Sequence, residues 1–531
     1  MIRKMPSLDE TVAALKRSYK TRRFSLSIAV VLLLALIAWN TTATRRRIWA
    51  PEEVPVAFWS WRLEAPSEND VNAATRQTGA KTLFLRAGQI DYEAGKLSRI
   101  RPLSGAIPGN IAVHLVYNAT RSFLKEFEQI RAEAAGSIIL AAFAHDLDRA
   151  QSDHAQVVGL QLDFDVPTRL LPKYAAILKD VRARLSNEEQ LSITGLPTWL
   201  DSPALAEPLS ACDLWVPQCY GAQIPERLDQ RIPITTPEHV AQSVSRTRDL
   251  GLPFYAGLAA YGYAIHYSRT GLLIGLRGDL DPLLVVASND FELSEQTPFF
   301  LNNNRTADKK AAEWRCTYRA RRDVMVDGTA IRAGESLLLD RPTAAGLRAC
   351  ARNVREQGGA RLLGICVFRI PNKGDSTTLT LAEIASALSD TGPRFSLEAR
   401  IDQLLVQGSN NDNVTAVLKL ENSGAAASRA GEGALTVLVH VPAGCLVSVT
   451  VDQFASTEAV FESGGEAVRC AAKRANAVKL SVGWWPPGAK LTARFETKSA
   501  APNDISLRYA ATLDDGSLME GSRTLTMTGT R

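Results

Sequence analysis

Two aspartates one residue apart, Asp163 and Asp165, close the run Val157-Val158-Gly159-Leu160-Gln161-Leu162-Asp163-Phe164-Asp165. A strand imposes a period of two. On that reading Val158, Leu160, Leu162 and Phe164 form an apolar face, and Gly159, Gln161, Asp163 and Asp165 form a polar one. Carboxyl groups at i and i+2 on one strand face stand roughly 6–7 Å apart, from a rise of about 3.3 Å per residue. Each raises the other's hold on a proton. One can then act as an acid while its neighbour stays ionised, which is the basis of acid–base catalysis by paired carboxylates. The alternative for such a pair is two solvated aspartates at a strand end.

Other polar and aromatic residues suit the same site. In Leu214-Trp215-Val216-Pro217-Gln218-Cys219-Tyr220-Gly221, the residues Gln218 and Tyr220 share one strand face, an amide beside a phenol. Pro217 fits a strand near its end better than mid-sheet. Arg86 ends another apolar run and could bind an anionic group or pair with Asp163 or Asp165. Trp59 and Trp61 end the first run, where an aromatic ring can stack on a sugar or simply fill a core. His114 is expected inside, beside Asn118.

The elements that must position these residues alternate strand with helix. Short apolar runs recur at 54–61, 82–87, 111–117, 157–165, 191–196, 214–220, 254–261 and 362–370. Helical patterns fall at 122–135, 172–185, 239–250 and 344–357, with another at 380–388. Eight strands in βα alternation over about 340 residues are what a TIM (β/α)8 barrel requires, and its active sites sit at the C-terminal mouth of the strands. In such a barrel the polar face of 157–165 points into the lumen. A doubly wound open sheet would want a Gly-rich phosphate loop after an early strand, and the sequence has none. The stretch 262–361 between the seventh and eighth strands is too long for a connection. It reads as an α+β insertion. After residue 394 the texture changes to short strands separated by Gly, Asn, Ser and Pro turns, an all-β sandwich-like domain over 395–531.

The N-terminus is different again. Residues 24–43 carry no charge and are dominated by Leu, Ile, Val and Ala, long enough to cross about 30 Å of hydrocarbon. Seven Lys/Arg precede the segment and Arg45, Arg46 and Arg47 follow it, which places the N-terminus in the cytoplasm. The chain therefore reads as a basic tail (1–23), a signal anchor (24–43), a linker (44–53) and a barrel (54–394). That architecture implies a single-pass inner-membrane protein with its body in the periplasm. A cleaved signal peptide would also send the body out of the cytoplasm.

Composition narrows the function classes. Apolar residues make up 46% and charged residues 22% of the 531, which excludes wholesale disorder and a polytopic membrane protein. The net charge of +5 comes from the leader. Residues 1–47 hold ten Lys/Arg against two acids, so the remaining 484 sum to −3. No nucleic-acid partner is expected of such a body. No cofactor loop, no metal-ligand spacing among the six histidines and seven cysteines, and no serine-hydrolase elbow occur. Cys445 and Cys470 are candidates for a disulfide in an oxidising compartment.

These motifs resemble those of the chitinase-like glycoside hydrolases, the family numbered eighteen. Its fourth strand reads D-G-x-D-x-D-x-E, and Val158 to Asp165 aligns with it without a gap. The family's M-x-Y looks like Gln218-Cys219-Tyr220, its G-L-P-F-Y-G like Gly257-Leu258-Ala259-Ala260-Tyr261-Gly262, and its last strand like Gly364-Ile365-Cys366-Val367-Phe368. The resemblance covers roughly 54–390 and includes the insertion. It implies that Asp165 is the acid, Asp163 its electrostatic partner and Tyr220 a donor to the substrate; Gln161, Gln218, Arg86, Trp61, Tyr261 and Phe368 are the candidates for binding the ligand around them. The chain departs from the pattern at three positions: Asp165 replaces Glu, Gln161 replaces the central Asp, and Val158 replaces the first. As a whole it looks most like an uncharacterised bacterial barrel family of the domain-of-unknown-function series. The expectation is a membrane-anchored, glycoside hydrolase-like barrel acting on a polysaccharide. The alternative is a catalytically silent barrel that binds a glycan or an envelope partner, the latter through 395–531.

Overall fold

The computed structural model describes residues 48–526, apart from 222, 279, 301–310, 373–374, 406–412, 453–455 and 499–503, together with 528–529. The anchor expected at 24–43 lies outside the described residues. Among those described, no helix is long and apolar enough to cross a membrane.

Eight parallel strands close into a ring. They are β1 (Val56–Ser60), β2 (Ala80–Glu93), β3 (Ala112–Ala119), β4 (Gln156–Asp163), β5 (Gln190–Gly195), β6 (Leu214–Pro217), β7 (Phe254–Ala259) and β8 (Leu362–Phe368). Each pairs with its neighbours in chain order, and β1 pairs with both β2 and β8. The expected barrel is thus present. Outward-facing residues such as Leu83, Leu115, Leu160, Leu162, Ile193 and Val367 pack against the surrounding helices in one large core. A second, smaller apolar cluster fills the lumen: Ala57, Trp59, Phe84, Val116, Leu214, Val216 and Cys366. The period of two along each strand separates these cores.

Some elements depart from the sequence expectation for identifiable reasons. The pattern at 122–135 resolves into a short helix, Arg121–Lys125, and a long one, Ala132–Ser152. Within the long helix, Gly136 is a contact point. A Cβ there would collide with Asp180 and Arg184 of the helix Leu171–Arg184, so glycine lets the two helices close. The helix Glu68–Thr78 was not expected. It buries only Val71 and Ala74, and a Ser67 cap accepting the Asp70 N–H starts it. Strand β2 runs past the barrel to Glu93 and folds back on Lys96–Ile100. Strand β6 stops at Pro217, short of Tyr220.

Between β7 and the helix Ala344–Gln357 stands an antiparallel five-stranded sheet, ordered 273–277, 263–267, 336–342, 311–320, 291–300. One short helix, Pro282–Val286, accompanies it. The C-terminal region forms a five-stranded and a six-stranded sheet. Their inner faces share a core built around Leu418, Val437, Leu480, Trp485, Phe495 and Leu507. A hairpin of Ser456–Ser463 with Glu466–Arg469 was not expected, because its residues are mostly polar and exposed. Cys445 and Cys470 are both free thiols.

Candidate functional site

Strand β4 delivers its polar face to the lumen. Gly159 sits where a Cβ would stand 2.5 Å from the Gln190 carbonyl oxygen and 2.8 Å from His114 Nδ1. Only glycine lets β3, β4 and β5 approach there. Above it, Gln161 is fully buried and its Oε1 accepts the Trp59 indole N–H at 3.0 Å across the lumen. Its Nε2 has no hydrogen-bond partner. His114 stacks on Phe84 at 4.7 Å, and burial pushes its imidazole down to about 4, so it is neutral at physiological pH.

Asp163 is the centre of the arrangement. It ends β4 opposite Asn118 of β3. Asn118 Nδ2 donates to one carboxylate oxygen and Thr194 Oγ1 of β5 to the other. Burial pushes the carboxyl up to about 7, with the Asp165 charge adding to it. The Thr194 hydroxyl, the Arg86 guanidinium and the Asn118 amide pull the other way. Two residues on, Asp165 is exposed at the rim and accepts no hydrogen bond from any described residue. Desolvation by the surrounding protein still raises its carboxyl above the ordinary range. The pair thus shares a raised affinity for a proton at the open end of the barrel.

An aromatic arc stands beside the carboxylates. Phe368, at the end of β8, lies 5.5 Å from Trp59, 6.0 Å from Trp61, 5.8 Å from Tyr220 and 4.9 Å from Tyr261. The Tyr220 and Phe368 rings are stacked. The Tyr220 phenol is pushed well above its usual range by burial and by neighbouring acidic groups, Asp163 and Asp165 included. It stays protonated and able to donate. Arg86 packs its guanidinium 4.4 Å from the Trp61 ring centroid and donates to the Trp61 carbonyl at 3.0 Å.

The expected residues therefore gather as follows. Asp163, Asp165 and Arg86 are electrostatically joined, and Trp61, Tyr220, Tyr261 and Phe368 form one ring cluster. Gln161 lies below them on Trp59. Gln218 is held by its backbone, donating to the Gly195 carbonyl at 2.8 Å, and its side chain makes no hydrogen bond to either aspartate. The two groups that clamp Asp163 were not singled out from the sequence as site residues. Asn118 was expected inside only as a neighbour of His114. Thr194 had a usable signal, since Ser192 and Thr194 alternate with Leu191 and Ile193, which puts two hydroxyls on the lumen face of β5.

The rim is braced from outside. The Gly221 N–H bonds the Ile234 carbonyl, closing the loop that follows Tyr220. From the insertion, Arg315 donates to the Gln230 and Ile232 carbonyls at 2.9 and 2.8 Å, and Glu313 accepts the Ile234 N–H at 2.9 Å. The insertion thus fixes the loop that carries Tyr220.

A closed parallel ring, polar groups at the C-terminal mouth of its strands and a sheet inserted after the seventh strand define a TIM barrel with a decorated rim. Within it, residues 129–293 match the family described as Domain of unknown function (DUF3142). No curated protein matches the chain. Among solved structures, it is similar to a chitinase from Chromobacterium violaceum ATCC 12472, with 14% identity, 63% of this chain and 99% of that one covered, and a TM-score of 0.41. It is also similar to the C-terminal domain of a putative chitinase from Desulfitobacterium hafniense DCB-2, with 12% identity, 63% and 99% covered, and a TM-score of 0.43. A third is the Bacillus cereus spore cortex-lytic enzyme SleL, with 14% identity, 64% and 74% covered, and a TM-score of 0.39. All three are likenesses of fold at low identity.

Proposed function

We propose that the chain is a membrane-anchored, carbohydrate-active barrel that cleaves a glycosidic bond in a polysaccharide with its paired aspartates. The observation that carries this reading is the state of Asp163. It is a lumen carboxyl gripped by two neutral donors and pushed up to about 7, with a second, open carboxyl beside it. Such a pair titrates as a unit and keeps a proton to higher pH than a lone carboxyl does. Asp165, exposed at the rim, passes a proton to the leaving oxygen as the C–O bond breaks and its electrons go to that oxygen. Asp163, held by Asn118 and Thr194, faces the positive charge growing at the sugar. A neighbouring group of the sugar, or water, captures the anomeric carbon. Tyr220 donates to the ligand, and the Trp61, Tyr261 and Phe368 rings give it apolar faces to lie on. On this reading 24–43 anchors the protein in the inner membrane, the body lies in the periplasm, and 395–531 is available to an envelope partner.

The test is to make Asp163→Asn and Asp165→Asn separately and to measure both turnover and binding over a panel of envelope and structural polysaccharides. Loss of turnover with binding retained supports the hydrolase. A wild-type protein that binds a glycan and turns over none supports the silent binder, for which the shortened acid at 165 speaks. No binding by the wild type removes both readings. Carbonate-resistant membrane association, with protease attack on the body only from the periplasmic side, tests the location.

A further inference from the structure

A cavity lies on the seam between the inserted sheet and the C-terminal domain, and neither aspartate of the mouth nor any ring of its aromatic arc lines it. It encloses about 550 Å³ of empty space, part of it open to solvent. Trp314 and Arg341 stand directly opposite each other on neighbouring antiparallel strands of the inserted sheet, so both belong to one sheet face. Arg429 and Trp484 come from the C-terminal domain. The four side chains interleave across the seam. The Arg341 guanidinium lies 4.9 Å from the Trp484 ring centroid, and that of Arg429 lies 5.9 Å from the Trp314 centroid. Leu280, Pro282, Leu339 and Ala430 give the cavity an apolar lining. Gln296 and Cys316 of the inserted sheet both donate to the Ala430 carbonyl, at 2.6 and 3.3 Å, and hold the two sides together.

Four buried polar side-chain atoms on these walls have no hydrogen-bond partner: Nε1 of Trp314 and of Trp484, and Nε of Arg341 and of Arg429. All four are N–H donors, and both tryptophans are more than nine-tenths buried. Buried donors are normally matched, so the cavity is short of an acceptor. It is also short of negative charge. Asp340 is matched by Arg315, and Glu383 by Arg341 at 3.1 and 3.3 Å. Burial and the nearby Glu383 push the Asp514 carboxyl up to about 8, so it keeps its proton near neutral pH. The Arg429 guanidinium donates to the neutral Glu432 carbonyl at 2.5 Å and has no acidic partner among the described residues. We propose that the seam binds a small organic carboxylate with an apolar body, whose oxygens accept the indole N–H groups and whose charge faces Arg429. A broader groove walled by Leu284, Pro371 and Pro486 shares Arg341, Ser376 and Trp484 with the cavity and gives the apolar body room to extend. A ligand held there touches the insertion and the C-terminal domain at once and ties them together, as ligands at domain interfaces do. The site is separate from the paired aspartates and does not rest on the function proposed for them.

The test uses the full chain in a non-ionic detergent, with its nine tryptophans incorporated in ring-fluorinated form. The fluorine resonances of 314 and 484 are assigned from W314F and W484F. Hexanoate and benzoate are titrated in beside hexanamide, benzamide and inorganic phosphate. Both carboxylates are expected to shift the 314 and 484 resonances saturably, and the amides to bind about tenfold more weakly or worse. No saturable shift at 314 or 484 overturns the site and leaves water as the partner of the four donors. Shifts confined to Trp59 and Trp61 put the anion at the barrel mouth and overturn it too. Amides that bind as tightly as the acids overturn the charge, and phosphate that binds as tightly as hexanoate overturns the apolar body. R429Q should weaken hexanoate about tenfold or more, and R429K should restore most of the loss. Equal affinity of R429Q and wild type overturns the role of Arg429. Should R429Q fail to fold, W314F decides: it keeps an aromatic ring and loses the N–H, and hexanoate binding as tight as in wild type overturns the proposal.

Discussion

The barrel mouth and the inserted sheet each set two acids beside an arginine, and they settle the charge in different ways. In the insertion, Arg315 closes a two-pronged contact on Asp340, at 2.7 and 2.6 Å. Its remaining donors go to the Gln230 and Ile232 carbonyls, and Glu313 accepts a backbone N–H. All three side chains are buried. Burial raises Asp340 while Arg315 pulls it down, and burial with the nearby Asp340 lifts Glu313 well above its usual range. At the mouth, the groups that donate to the Asp163 carboxylate are neutral, an amide and a hydroxyl, and its companion Asp165 stands open. An acid pair sealed inside the protein beside its arginine cannot pass a proton to a ligand, whatever proton it holds. A carboxyl steadied by neutral donors next to an exposed twin can. Fold-stabilising and reactive acid pairs are thus told apart by what grips them and by what they face.

The sharpest break in this comparison is to neutralise one acid in each pair. Asp165→Asn or Asp163→Asn is expected to cut turnover of the cognate glycan by about 10²–10⁴-fold, the usual worth of a positioned acid. Its urea midpoint should stay close to wild type. Asp340→Asn should leave the chemical step of the correctly folded fraction within a few-fold of wild type and lower the midpoint instead. Steady-state kinetics beside urea denaturation separate the two. Equal losses of turnover from both sites would end the distinction.

Next in size is the loss of the insertion's arginine. Arg315→Met leaves Asp340 and Glu313 buried without their cation, at a cost of about 3–5 kcal/mol. It also frees the loop carrying Tyr220 from its two carbonyl contacts. Denaturant unfolding should show the loss. Limited proteolysis should show earlier cutting between 221 and 236. An unchanged cutting pattern would mean that the insertion does not brace the rim.

These two pairs were unequally legible in the sequence. The mouth pair lies on one short run, so a period of two was enough to place Gly159, Gln161 and Asp163 on the lumen face, while Asp165 stands two residues on, past the end of the strand. The insertion's pair joins Glu313 and Arg315 to Asp340, on a neighbouring antiparallel strand. Such pairing across two strands needs a register that no single stretch encodes. For the same reason Asn118 and Thr194 escaped. Each comes from a strand flanking β4, and only the ring's register brings both to Asp163. The barrel itself was readable because eight buried strands leave continuous apolar runs. The helix Glu68–Thr78 was not, because two buried residues make no stripe. A glycine that admits a neighbouring helix, as Gly136 does, looks the same in sequence as one that ends its own.

Packing beneath the mouth gives a smaller effect. Gly159→Ala adds a methyl group against the Gln190 carbonyl oxygen and the His114 ring, both closer than a real Cβ tolerates. A loss of about 1–3 kcal/mol is expected from the forced shift of β4. Asp163 would move with the strand, so turnover should fall alongside stability. Thermal unfolding with parallel kinetics checks this. A stable variant with full activity would show that the strands can part there at no cost.

The smallest effect is one of pH, and its sign follows from Asp163. The folded protein raises this carboxyl to about 7, whereas an unfolded aspartate titrates near 3.9. The folded state therefore holds the proton more tightly than the unfolded one. Stability from this source is fully present below about pH 4 and is lost as pH rises through about 7. Asn at 163 has no such charge to bury. Asp163→Asn should then match wild type near pH 4 and exceed it at pH 8 by roughly 1 kcal/mol, an amount discounted because the carboxyl is partly open to water. Asp340→Asn behaves differently because Arg315 loses its partner, so it should be the less stable protein at pH 8. Urea midpoints at pH 4, 6 and 8 for the three chains resolve both trends. A wild type that gains on Asp163→Asn with rising pH would place Asp163 among the locked acids and erase the contrast between the two sites.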